Sequence, residues 1–127
     1  MVDSLKEMFF YLVMMGVTAL TIRSLKIVFG RDRPSLVNSN RIFNLRKREV
    51  EKAFPSGDTT HSTLFSFFLL FHFGNPYWTI IVPCVAFARV FYQCHWFGDT
   101  LGGACAGLIM ASFSYLLRML PSHMMSY

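Results

Sequence analysis

Lys26, Arg31, Arg33, Arg89, His95 and Asp99, with the tripeptide Pro55-Ser56-Gly57, are the residues of this chain whose types and spacing can do chemistry. Several cations beside a helix start suit an anion, because free backbone N–H groups and the positive end of the helix dipole attract a phosphate. A glycine there lets the backbone approach the phosphate oxygens closely. His95 and Asp99 stand four residues apart. In a helical or near-helical turn, that spacing lets the carboxylate accept the proton of one imidazole nitrogen and leave the other free, which makes a nucleophile or a base. A single histidine beside an apolar segment is more often only a hydrogen-bonded interfacial residue. Here it has cations and a phosphate-type helix start for company.

These residues must be positioned by a chain of 127 residues that is 54% hydrophobic and holds 14 Phe, more than a soluble domain of this size usually carries. The apolar residues gather into runs, such as 9–22, while most of the charge sits between 31 and 52. That partition predicts an all-α integral membrane helical bundle of about four spans in a single domain, 1–127. The predicted spans are 8–28, 59–73, 77–91 and 101–120. None is a clean uncharged stretch of the roughly 20 residues that a bilayer asks for. Spans that carry His, Arg and Ser must turn those groups to the bundle interior, since a charge in hydrocarbon costs at least ~2.5 kcal/mol.

The punctuation of the chain sets the topology. Gly30 and Pro34 end the first helix. A loop follows to Phe54, and its middle, 40–52, is polar enough for a surface helix. Pro55-Ser56-Gly57 starts the second span, with Asp58 and Thr59 as capping-type residues. Gly74-Asn75-Pro76 turns the chain at the opposite face, so the second and third spans form a hairpin. A further turn over 93–98 leads into the fourth span, whose Gly103, Gly107 and Ala111 recur every four residues. Such a stripe allows close helix approach in a membrane, inside the bundle or in a homo-oligomer or partner-subunit contact. Asp99 lies one turn earlier on the same stripe and is expected to face the bundle. Topology thus brings Lys26, Arg33, Ser56, Arg89, His95 and Asp99 to one membrane face.

Other classes are excluded. Lys6 and Glu7 precede a segment too long for the core of a cleaved signal, so the first helix is expected to stay in the protein. Cys84, Cys94 and Cys105 are odd in number and lack metal-type spacing, against a disulfide framework or zinc site. The net charge of +5 comes with no nucleic-acid motif, and an anionic lipid head group matches it better.

The same residues resemble the type 2 phosphatidic acid phosphatase superfamily, which includes the vanadium-dependent haloperoxidases. Its signatures are Lys-x6-Arg-Pro, Pro-Ser-Gly-His and Ser-Arg-x5-His-x3-Asp. This chain has KIVFGRDRP at 26–34, PSGD at 55–58 and ARVFYQCHWFGD at 88–99, agreeing at nine of the eleven signature positions. The resemblance implies that Lys26, Arg33 and Arg89 bind phosphate oxygens, with Ser56 and the Gly57 N–H completing the cradle. It implies that His95 attacks phosphorus to form a phospho-histidine and that Asp99 orients it, without metal or cofactor. The implied activity is hydrolysis of a lipid phosphate or a polyprenyl diphosphate.

Two positions depart from that pattern: Ala88 replaces a serine, and Asp58 replaces the histidine that would protonate the leaving oxygen. A carboxylate with a reference pKa of about 4 is a poor acid at neutral pH unless its surroundings raise it. His61, one turn after Asp58, offers another acid with Asp58 as its orienting partner. A diphosphate substrate, whose leaving monophosphate departs readily, would relax the need for an acid. The remaining alternative is a catalytically impaired lipid-phosphate-binding membrane protein. His72, at the far end of the same helix, reads as a structural residue. The resemblance points to a lumenal or external site, whereas seven Lys/Arg between 31 and 52 point to the cytosol by the positive-inside rule. Four spans are also fewer than the six usual in the membrane-bound family, so a minimal version, a fragment or a chain that needs a partner subunit is expected.

Overall fold

The computed structural model describes residues 2–35, 46 and 50–124, and all regular structure among them is helical. The elements are α1 (Val2–Phe29), α2 (Gly57–Phe73), a short 3-10 helix (Pro76–Ile80), α3 (Ile81–Phe91) and α4 (Phe97–Met124). The surface helix expected within 40–52 falls mostly outside the described residues. Each of the four predicted spans is helical. Two stretches, Asp3–Phe29 in α1 and Phe97–Leu120 in α4, are long and apolar enough to cross a membrane. The 17 residues of α2 reach about 25 Å and the 11 of α3 about 16 Å, short of a hydrocarbon core ~30 Å thick.

The interior is more polar than the exterior. On α1 the buried positions are Met14, Thr18, Ile22 and Lys26, one per turn, while Phe9, Leu12, Leu20 and Ile27 face outward. α2 buries Thr59, Thr60, Thr63, Leu64 and Ser66. In lipid an apolar side chain gains nothing by hiding, so helices associate through close packing and polar contacts. Four of the buried hydroxyls bond to carbonyls one turn back, Thr18 to Met14 at 2.7 Å, Thr60 to Ser56 at 2.8 Å, Thr63 to Thr59 at 2.7 Å and Ser114 to Met110 at 2.7 Å, while Ser66 Oγ has no hydrogen-bond partner among the described residues. Satisfied in this way, the four cost little to bury.

That hydroxyl face of α2 packs on the small-residue stripe of α4. A Cβ on Gly103 would lie 2.6 Å from the Ser56 carbonyl oxygen, and one on Gly107 would lie 2.5 Å from Thr63 Cβ. The next residue of the stripe, Ala111, is buried as well. Of the two uses expected for this stripe, the structure shows the one inside the bundle, where α2 packs against Gly103 and Gly107. Asp99, on the same line, is fully buried as its position predicts.

Local caps hold the ends in place. Ser56 caps α2, its Oγ accepting the Thr59 N–H at 3.4 Å. This moves the cap two residues ahead of the predicted Asp58, because α2 already begins at Gly57. The Ser56 N–H donates to the Asp99 carbonyl at 3.0 Å and ties the start of α2 to the start of α4. Gly74 takes the left-handed conformation at φ 68°, and its N–H returns to Leu70 O at 2.8 Å. Away from that face, Arg118 donates to Glu7 at 2.8 Å between α4 and α1, and His72 stacks on Phe68.

Gly107→Ala is expected to lower stability by about 1–3 kcal/mol, the usual cost of overpacking. Gly16→Ala, with nothing within 4 Å of the added Cβ, should hold or raise it by up to ~1 kcal/mol. Thermal unfolding of both variants in one detergent, followed by circular dichroism, checks the contrast.

Candidate active site

Lys26 stands in the last turn of α1, and the chain leaves that helix through Gly30, whose φ is 56° and whose N–H returns to Lys26 O at 3.0 Å. Arg33 follows on the extended segment. Both cations are held by the stretch that returns toward α2. Lys26 Nζ donates to the Lys52 carbonyl at 2.7 Å, and Arg33 Nε donates to the Glu51 carbonyl at 2.7 Å. Glu51 also places its carboxylate 3.9 Å from Lys26 Nζ. The neighbouring Asp32 pairs with Lys52, which holds its carboxyl below the ordinary carboxylate range.

Arg89 ends α3, and the turn after it folds the chain back on itself. Gln93 has φ 57°, and the N–H groups of Cys94 and His95 both donate to the Arg89 carbonyl, at 3.0 and 3.3 Å. This turn carries His95 inward until only 2% of it is exposed. Arg33 Nη1 donates to the Cys94 carbonyl at 2.7 Å and lies 3.1 Å from His95 Nε2. A guanidinium only donates, so His95 Nε2 carries the lone pair and Nδ1 the proton. Nδ1 points toward Asp99 Oδ2 at 3.7 Å, longer than a hydrogen bond.

Asp99 is held from several sides. Its Oδ2 accepts the Trp96 N–H at 2.8 Å, and Arg31 Nη1 lies 3.5 Å from Oδ1. Neither His95 Nδ1 nor Asp99 Oδ1 has a hydrogen-bond partner among the described residues. With Oδ2 at 3.7 Å, the unpartnered Nδ1 is a small contraction from bonding to this carboxylate, and bonds of this kind are often long until substrate is bound. Burial, then Arg33, Arg89 and Lys26, pushes His95 down to about 3. The imidazole is therefore neutral, with an available lone pair, across the physiological range.

These groups open into a cleft of about 330 Å³ whose walls include Lys26, Arg33, Gly57, Asp58, Arg89 and His95. An apolar cavity between α1, α2 and α4, at about 10 Å³, has room for little beyond a single water. A Cβ at Gly57 would meet nothing of the protein closer than 3.7 Å, so protein packing does not require glycine there. Ser56 is placed differently from expectation. It is fully buried in the cap, its Oγ 3.0 Å from Thr59 Oγ1, so it shapes the cradle by fixing the helix start and does not line the cleft. Asp58 Oδ2 pairs with Arg89 Nε at 3.0 Å. His61 lines the same cleft, yet its Nδ1 bonds to the Gly57 carbonyl at 2.8 Å, so a backbone carbonyl orients it in place of the expected Asp58.

Arg23 and Glu51 also line the cleft. Arg23 was legible as the residue one turn before Lys26, while Glu51 and the carbonyls that clamp Lys26 and Arg33 carry no sequence signal. The groups His, Cys, Asp and Glu form no metal-type cluster among the described residues.

Comparison with known proteins places the chain among relatives of one family. The family model described as the PAP2 superfamily matches residues 7–120. A putative undecaprenyl-diphosphatase, YbjG of Escherichia coli, is 31% identical over 87 residues, which is 65% of this chain and 42% of that protein. The crystal structure of a transmembrane PAP2 type phosphatidylglycerolphosphate phosphatase from Bacillus subtilis superposes with a TM-score of 0.62 at 22% identity, covering 86% of this chain and 57% of the other. The chain thus spans about half the length of the relatives it matches.

Two expectations follow from the geometry. Because its folded pKa is depressed, His95 refuses a proton that the unfolded chain accepts, so stability falls as pH drops below about 6.5 and is unaffected above it. In ring-labelled protein the His95 resonance should stay in its neutral position from pH 7 to pH 5, and Arg33→Ala should move its titration upward. Asp58→Asn removes a carboxylate from beside Arg89 and should tighten binding of inorganic phosphate about fivefold, the equivalent of ~1 kcal/mol between charges near 4 Å in water. Isothermal titration checks the second.

Proposed function

Since the chain belongs to the PAP2 superfamily, we propose that it is a multi-pass membrane enzyme that hydrolyses a lipid phosphate or a polyprenyl diphosphate through a phospho-histidine. The observation that carries this reading is a neutral, buried His95 with its lone-pair nitrogen beside Arg33, in a cleft walled by four cations, Arg23, Lys26, Arg33 and Arg89, with Asp99 behind it. The undecaprenyl-diphosphatase relative supports the diphosphate as one substrate class.

In this mechanism Lys26, Arg33 and Arg89 hold the equatorial oxygens of the phosphate, and the N-terminus of α2 at Gly57 adds backbone N–H donors. Arg33 transfers its N–H from His95 Nε2 to a phosphate oxygen, which frees the lone pair for attack. As the P–N bond forms the imidazole becomes cationic, and Asp99 stabilises that charge through the Nδ1 proton. Water then attacks the phospho-histidine and releases phosphate. No metal or cofactor enters the scheme. A diphosphate is the less demanding substrate, because its leaving monophosphate needs little protonation, while a lipid alkoxide needs a proton.

A second reading, a lipid-phosphate binder without turnover, is favoured by one observation: the residue at the usual acid position, Asp58, is paired with Arg89. One assay separates the two. Purified protein in detergent with EDTA should release phosphate from phosphatidate and from a polyprenyl diphosphate, and His95→Ala should reduce release at least about 1,000-fold while keeping its helical circular dichroism. Binding of either lipid without release by the parent protein would establish the binder.

A further inference from the structure

Resting on the hydrolase reading above, we propose that His61 is the general acid of the reaction, protonating the leaving oxygen through Nε2. The position that would supply the acid holds Asp58, whose carboxylate faces Arg89 at 3.0 Å and whose side chain is 59% exposed. An acid for the leaving group has to come from elsewhere in the cleft. Among the described histidines, His61 and His95 line it, and His95 is the nucleophile.

The geometry of His61 suits the task. It lies one turn into α2, and its Nδ1 donates to the Gly57 carbonyl at 2.8 Å. A histidine whose Nδ1 proton is committed to a carbonyl has its ring orientation and tautomer set, and the proton that comes and goes is the one on Nε2. Nε2 has no protein hydrogen bond among the described residues. The same Gly57 whose carbonyl orients His61 stands at the phosphate-type helix start, so the acid and the anion site share one rigid element. His72, the other histidine of α2, is stacked on Phe68 and does not line the cleft.

The step balances. His95 Nε2 forms a bond to phosphorus while the bond from phosphorus to the lipid oxygen breaks, and the proton of cationic His61 Nε2 passes to that oxygen, releasing the lipid alcohol. Neutral His61 then takes a proton from the water that attacks the phospho-histidine, which restores cationic His61, neutral His95 and free phosphate. Asp58, through its pair with Arg89, tunes how the phosphate is held.

A general acid is recognised by leaving-group dependence. kcat/KM, which reports the steps through the first irreversible one, is measured for phosphatidate and for p-nitrophenyl phosphate, whose p-nitrophenolate departs unprotonated. For His61→Asn the value for phosphatidate should fall about 100- to 10,000-fold, and that for p-nitrophenyl phosphate less than about tenfold. Asp58→Asn should change both substrates by the same factor. A purely structural role for His61 would lower both alike, and that result, or no loss with either, overturns the assignment and leaves the hydrolase reading standing. Selective loss on phosphatidate in Asp58→Asn overturns it too and makes Asp58 the acid. A folded parent protein that releases phosphate only from a polyprenyl diphosphate overturns the assignment and leaves the hydrolase reading standing, and one inactive on all three substrates overturns both.

Discussion

The near-contact of α2 and α4 is the constraint on which the rest of the structure depends. A Cβ on Gly103 or Gly107 would come within 2.6 Å of α2. Only glycine permits that approach, and it delivers the Ser56 N–H to the Asp99 carbonyl at 3.0 Å. The start of α2 and the start of α4 are thereby joined at one end of the bundle. One start presents Gly57 to the cleft, and the other carries the buried carboxylate behind His95. Separating the helices by the width of a methyl group would pull apart the anion site and the group that supports its histidine.

Around this contact the solvent logic of a soluble protein is reversed. Large apolar side chains such as Phe9, Leu20 and Phe113 face out, and Thr18, Thr59, Thr60 and Thr63 face in. The hydroxyls of Thr18, Thr60 and Thr63 bond within their own helices, which leaves the charged groups to be satisfied at the end of the bundle. There the carbonyls of Glu51, Lys52 and Cys94 hold Arg33 and Lys26 in place despite their mutual repulsion. Burial first, and then the combined field of Arg33, Arg89 and Lys26, keeps His95 neutral. In the proposed mechanism a phosphate oxygen and His95 Nε2 compete for the same Arg33 N–H, so binding of the anion is also what releases the lone pair.

Much of the candidate site was legible before any fold was known. Hydrophobic runs broken by Gly30, Pro34, Gly74 and Pro76 placed four helices, and their ends gathered Lys26, Arg33, Arg89 and His95 on one side. The four-residue spacing of Asp99, Gly103 and Gly107 put the carboxylate in the bundle. Such features are local: a helix has a fixed period, and a glycine or proline stops it whatever surrounds it. Ser56 is of a type that suits both a cap and a phosphate ligand, and only the fold shows its side chain buried in the cap. The small-residue stripe was open to two partners, since its composition states that something approaches closely without naming what does.

Residue types, their order and their spacing therefore determined by themselves that this is a helical, membrane-suited chain with a cationic phosphate-type site in the PAP2 pattern. Tertiary structure alone decided the pairings: Asp58 with Arg89, His61 with the Gly57 carbonyl, Arg33 with His95, and the glycine stripe with α2. The reason is distance along the chain. Arg33 and His95 are separated by 62 residues, and the Lys52 carbonyl that clamps Lys26 belongs to a loop whose path no helical period records. Even the pair within one turn, His95 and Asp99, is set at 3.7 Å by competitors, Trp96 and Arg31, that only the folded turn brings to the carboxylate.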